Sequence, residues 1–141
     1  MLDASHIHPM IVHFPIALVI IGFMFDIISL FNPKNEINFK ISYYLLVIGS
    51  VTAVISQLSG LYLTNHPKSG ELYLVFEQHE LFALISVILL IATTIIGTLF
   101  TMKYSKYLRY VYSFLYLLSM LSIAYTGFLG GTMVYDYMIG L

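Results

Sequence analysis

Apolar residues fall along this chain in four long, unbroken runs separated by short polar breaks. The runs cover roughly Met10–Phe31, Ile41–Thr64, Glu71–Thr101 and Tyr110–Tyr135. Each reaches the length of about 20 residues that a helix needs to cross a bilayer. The third is longer, so its first two turns are expected to stand clear of the hydrocarbon. The breaks carry turn chemistry at Asn32-Pro33 and Asn65-His66-Pro67, and basic residues within Met102–Arg109. Continuous rather than alternating runs argue against a strand barrel. The pattern therefore predicts one all-α domain, a four-helix transmembrane bundle in up-down-up-down order.

Composition sharpens this. Of 141 residues, 60% are hydrophobic and only 9% charged, against about 25% charged in soluble domains. The lipid bilayer is thus the first partner implied. A net charge of −1 gives no hint of nucleic acid. The absence of cysteine excludes disulfides, thiolate-ligated haem, cysteine-held iron–sulfur clusters and covalent c-type haem. Met1–Pro9 has no positive n-region, and no small-residue cleavage site follows the first run. That run is expected to be retained as a helix.

Basic residues set the expected orientation. The first and third loops hold Lys34, Lys40, Lys103, Lys106 and Arg109, the second loop only Lys68, and the tails none. Loops one and three are expected in the cytoplasm, with both termini outside. Tyr43, Tyr44, Tyr104, Tyr107, Tyr110 and Tyr112 would form an inner interfacial belt, and Tyr62, Tyr73, Tyr135 and Tyr137 an outer one. Packing between helices is the alternative for some of them.

The halves of the chain resemble one another. His13 to Leu18 and His79 to Leu84 both fit H-x-x-x-A-L, at an offset of 66; Ser59-Gly60 matches Thr126-Gly127, and Tyr43 matches Tyr110, at 67. Two helices per half give both halves one orientation, related by an axis along the membrane normal. Such an axis would set His13 and His79 face to face.

All five histidines, His6, His8, His13, His66 and His79, belong to the outer side of this topology. Ionisable groups within spans read as functional by default. The first and third helices are diagonal partners in the bundle. With neighbouring axes roughly 8–10 Å apart, two inward imidazoles across the diagonal leave room for one metal atom. Gly60 on the second helix, and Gly127, Gly130 and Gly131 on the fourth, lie at the matching level and permit close approach to a flat macrocycle. This is the pattern of bis-histidine haem b. Two other readings stand beside it. Small residues also serve helix packing, as in Ser56-x-x-x-Gly60, with the histidines bonding neighbouring helices. Alternatively His8, His13 and His79 hold a zinc or copper ion in a non-catalytic scaffold. His6 and His66 read as solvated.

The remaining polar groups have local readings. Asp26, about 20 Å below His13 at 1.5 Å per residue, is expected to meet water or Lys40, with a proton relay as the alternative. Gln57 is expected to bond between helices, and Glu77 and Glu80 to orient the His79 ring or to stay solvated. No hydrolase or phosphate-loop motif occurs, and the spans lack the broken, polar-lined helices of a transport path.

The segment His8-Pro9-Met10-Ile11-Val12-His13-Phe14-Pro15 resembles the opening of the bacterial four-helix membrane family named domain of unknown function 2231, which reads H-P-x-x-V-H-F-P. The resemblance continues through Asp26, Ser59-Gly60-Leu61, His79 and Leu129-Gly130-Gly131 to Tyr135. It implies residence in a bacterial cytoplasmic membrane. Fusion of some members to Rieske-type or cytochrome-like modules implies a redox setting on the outer face, with a quinol and an outer redox protein as partners. Family members often have histidine where this chain has Phe128, and again near Asp136-Tyr137. Those departures put part of any family site in doubt here. Oligomerisation is open, since nothing in the sequence specifies it.

Overall fold

The computed structural model describes residues 7–63, 67 and 69–137. His6, His66 and Lys68 lie outside them. Among the described residues there are four helices and no strand: α1 (Ile7–Phe31), α2 (Glu36–Leu63), α3 (Glu71–Lys103) and α4 (Lys106–Tyr135). All four are long and apolar enough to span a membrane. α1, α2 and α4 begin three to five residues before the apolar runs at Met10, Ile41 and Tyr110. Hydrophobicity marks the hydrocarbon layer, whereas a helix continues through the headgroup region for as long as its backbone can bond itself.

Consecutive helices pack as neighbours, and α1 closes the ring on α4. The contacts within the α1–α2 and α3–α4 hairpins are far more extensive than those between hairpins. The molecule is thus two tight hairpins joined along looser seams.

The packing follows from the spacing of buried positions. On α1 these include Pro15, Val19, Gly22 and Asp26, and on α3 they are Ser86, Leu90, Thr93 and Gly97. On α2 they include Ser42, Leu46, Gly49 and Ala53, and on α4 Tyr112, Tyr116, Ser119 and Ile123. Every helix alternates steps of four and three, the spacing of helices that supercoil gently around each other. Lipid tails are as apolar as leucine, so small residues that admit close backbone approach do the work of association. A Cβ on Gly22 would collide with the Tyr116 hydroxyl, and one on Gly97 would come within 2.8 Å of the Tyr112 ring. Tyr112, expected in the inner belt, is a fully buried core residue beside Tyr116 for that reason.

Hydroxyls cross-link the same stripes. Ser42 meets Tyr112 at 3.1 Å, Ser50 meets Thr94 at 3.0 Å, Thr93 meets Ser119 at 3.0 Å and Ser86 meets Ser122 at 2.8 Å. Bonds of this kind in a membrane average about 0.6 kcal/mol. They fix register more than they add stability.

The lysine-rich end holds a buried ion pair. Asp26, fully buried, lies 2.8 Å from an Arg109 guanidinium nitrogen. It does not meet Lys40, which pairs instead with Glu36 at 3.2 Å on the surface. Arg109 reaches inward because it sits one turn into α4. There it donates to Ser113 and Ser29 and lies over the faces of Phe39 and Tyr112, 5.1 and 5.5 Å from the ring centroids.

Removing one member of a buried pair strands the other charge. Arg109→Ala should destabilise the protein by about 3–5 kcal/mol, read as a shift in denaturant midpoint in detergent. The double variant Asp26→Leu, Arg109→Met should lose clearly less. A double loss equal to the single would show that the orphaned charge is not the cost.

Candidate histidine site between the hairpins

At the opposite end the hairpins separate around a cavity of about 610 Å³. All of the candidate residues described above line it: His8, His13 and His79, with Gly60, Gly127, Gly130 and Gly131. Their arrangement differs from the sequence expectation in one decisive respect.

The ring that faces His79 belongs to His8. The two centroids are 6.4 Å apart with planes at 85°. His13 is exposed and hydrogen-bonds nothing among the described residues. The cause is register. The buried stripes of α1 and α3 repeat at an offset of 71, Pro15 with Ser86 through Asp26 with Gly97, and those of α2 and α4 at 70, Ser42 with Tyr112 through Ala53 with Ile123. The offset of 66 read from H-x-x-x-A-L is therefore not the one the packing obeys. Carried outward in steps of three and four, the α1 stripe runs Pro15, Val12, His8, and the α3 stripe Ser86, Ala83, His79. His8 and His79 are the equivalent positions, and His13 lies one residue off the stripe.

The two imidazoles are held in parallel ways. A Cβ on Gly60 would stand 3.1 Å from His8 Cε1, and one on Gly130 would stand 3.3 Å from His79 Cε1. These glycines, offset by 70, make room for the histidine rings themselves. Gly127 clears the side chain of Ile16, and only Gly131 faces open space. His8 Nδ1 lies 2.8 Å from Ser59 Oγ, and His79 Nδ1 lies 3.0 Å from the Thr126 carbonyl.

These partners dictate where the ring protons sit. A carbonyl oxygen only accepts, so His79 carries its proton on Nδ1 and donates it to Thr126. Ser59 spends its own hydrogen on the Ser56 carbonyl at 2.7 Å. Its oxygen therefore accepts from His8, which must also be protonated on Nδ1. In the neutral rings both Nε2 atoms are left with a lone pair. The Thr126 turn is in turn held by its hydroxyl, bonded to the Ser122 carbonyl and to Ser86.

Several expected contacts are replaced. Glu77 accepts from Tyr73 at 2.7 Å, and Thr126, not a glutamate, orients His79. Glu80 and Gln57 line the cavity, and Gln57 bonds no other helix among the described residues. The hydroxyl of Ser56, buried on the cavity wall, has no partner among the described residues. Among the described residues no three of histidine, cysteine, aspartate and glutamate converge as a ligand set for a metal ion.

Histidine-specific ¹⁵N spectra of the purified protein should show His8 and His79 protonated on Nδ1 and bare at Nε2. Ser59→Ala should weaken that preference in His8, whose ring also bonds the Ser56 backbone, and leave His79 unchanged. Equal mixtures of tautomers at both residues in the unaltered protein would contradict the assignment.

A family profile described as predicted membrane protein (DUF2231) matches residues 4–141. No curated protein and no solved structure matches the chain.

Proposed function

The chain belongs to the DUF2231 family of predicted membrane proteins, and we propose that it is a b-type haem-binding redox subunit of an electron-transfer assembly, in which His8 and His79 would hold the haem iron. The observation that carries this is the pair of imidazoles held through Nδ1 by Ser59 and Thr126, with ring centroids 6.4 Å apart across the bundle. Two imidazoles at that separation would be able to share one metal atom between them. A metal-ligating histidine almost always donates its other ring N–H to a carbonyl or similar acceptor, which fixes the ring and raises its basicity. Ser59 and Thr126 supply those acceptors.

Donor number favours haem over a bare ion. Zinc held by protein takes three or four protein ligands, and no such group occurs among the described residues. A porphyrin supplies the equatorial ligands itself, so two imidazoles suffice. Haem held in this way supplies one-electron transfer at a potential tuned by its ligands and surroundings.

The chain's own residues would do the rest. Gly60 and Gly130 let the two rings stand close to α2 and α4, and Ser59 and Thr126 hold their orientation. Ser56, Gln57 and His13 offer polar contacts on the cavity wall to peripheral groups of the cofactor or to a quinol. Five of the six basic side chains lie at the opposite end, Lys34 in a loop and Lys40, Lys103, Lys106 and Arg109 on the adjoining helix ends. The positive-inside tendency supports an orientation with the histidine end, and both termini, on the outer face of a bacterial cytoplasmic membrane. Electrons would pass there between quinol and an outer redox protein. One such centre near one face does not carry charge across the bilayer.

Absorbance of protein purified after expression with haem supplementation tests the reading. A Soret band with sharp α and β bands on reduction is expected. It should vanish in His8→Ala and in His79→Ala and persist in His13→Ala. A colourless protein, or loss in His13→Ala with retention in His8→Ala, would refute the assignment.

A further inference from the structure

A second cavity, of about 290 Å³, lies at the lysine-rich end among the ends of all four helices. Its wall carries Lys40 from α2 and Lys106 and Arg109 from α4, against a single carboxylate, Glu36. The spans stop at Phe31 and Lys103 and resume at Glu36 and Lys106, which puts this cavity at the level of the lipid headgroups. The geometry points to a site for the phosphate headgroup of an anionic phospholipid.

The cations differ in role. Arg109 is fixed by Asp26, Ser29 and Ser113, so it shapes the wall and its charge is already matched. Lys106 makes no ion pair among the described residues. Lys40 pairs only with Glu36, and both side chains are more than 60% exposed. Such surface pairs are worth about 0–1 kcal/mol, so Lys40 can turn to a phosphate at little cost.

Backbone donors add to this. Ser105 precedes α4 without capping it through its side chain. The first N–H groups of α4 are therefore unanswered, and a helix N-terminus with free amides attracts phosphate oxygens. α2 differs, because Asn35 already accepts from the Ile37 amide at 3.1 Å. The apolar part of the wall, including Phe39, Phe100 and Tyr104, suits the glycerol and first acyl carbons beneath a headgroup. Basic pockets between membrane helices on the cytoplasmic side are recognised headgroup sites. The source of the phosphate is a lipid, because the site stands at the membrane surface and has an apolar floor.

The test is native mass spectrometry of the full chain in detergent, titrated with phosphatidylglycerol, with phosphatidylcholine as reference and inorganic phosphate as competitor. Lys40→Gln with Lys106→Gln should weaken phosphatidylglycerol binding roughly thirty-fold, taking about 1 kcal/mol for each lysine. Lys34→Gln with Lys103→Gln removes two exposed lysines that do not line the cavity, and should leave binding within a few-fold of the unaltered protein. Equal losses in the two double variants would overturn the site in favour of diffuse surface charge. Displacement of the lipid by millimolar phosphate would overturn the lipid as its occupant. All four lysines are exposed or lie outside the packed stripes, so both variants keep the fold.

Discussion

Close approach of helices that gain nothing from hiding in oil is the constraint on which this molecule rests. Within a bilayer the apolar residues of all four helices are equally content facing lipid or one another. Association has to come from shape, and here it comes from stripes of glycine, serine, alanine and threonine spaced by alternating fours and threes. Gly22 admits the Tyr116 hydroxyl, Gly49 sits against Val19, and Gly97 lies under Tyr112 and Tyr43. Once those stripes are engaged, register is no longer free. The offsets of 71 and 70 between hairpins follow, and with them the meeting of His8 and His79.

The chemistry of the histidine end depends on that register twice over. It brings two rings together, and it delivers each ring to an acceptor on its neighbouring helix. Neither acceptor is a charged group. A serine hydroxyl already committed to its own helix and a backbone carbonyl are enough to fix which nitrogen keeps its lone pair. Glycines at 60 and 130 serve the same end, since any side chain there would push the ring away from its partner atom.

The helices, their number and their order were legible in the sequence because span length and continuous hydrophobicity are one-dimensional signals. The site was legible in composition and misread in geometry. H-x-x-x-A-L drew attention to His13 because a motif in apolar sequence matches cheaply. The better signal was the stripe itself. Counting back from Asp26 through Gly22, Val19, Pro15 and Val12 in fours and threes arrives at His8, and the same count on α3 arrives at His79. The Asp26–Arg109 pair was hidden for a different reason. Arg109 reads as a loop cation until α4 is seen to begin at Lys106, which turns its side chain into the bundle.

Between the two cavities lies a slab made of Val19, Leu46, Leu90, Tyr112, Tyr116 and Ile123. Three of its flanking hydroxyls donate to carbonyls of their own helices, Ser50 to Leu46, Thr93 to Leu89 and Ser119 to Leu115. A small ion entering from either side would face the full dielectric penalty of that layer.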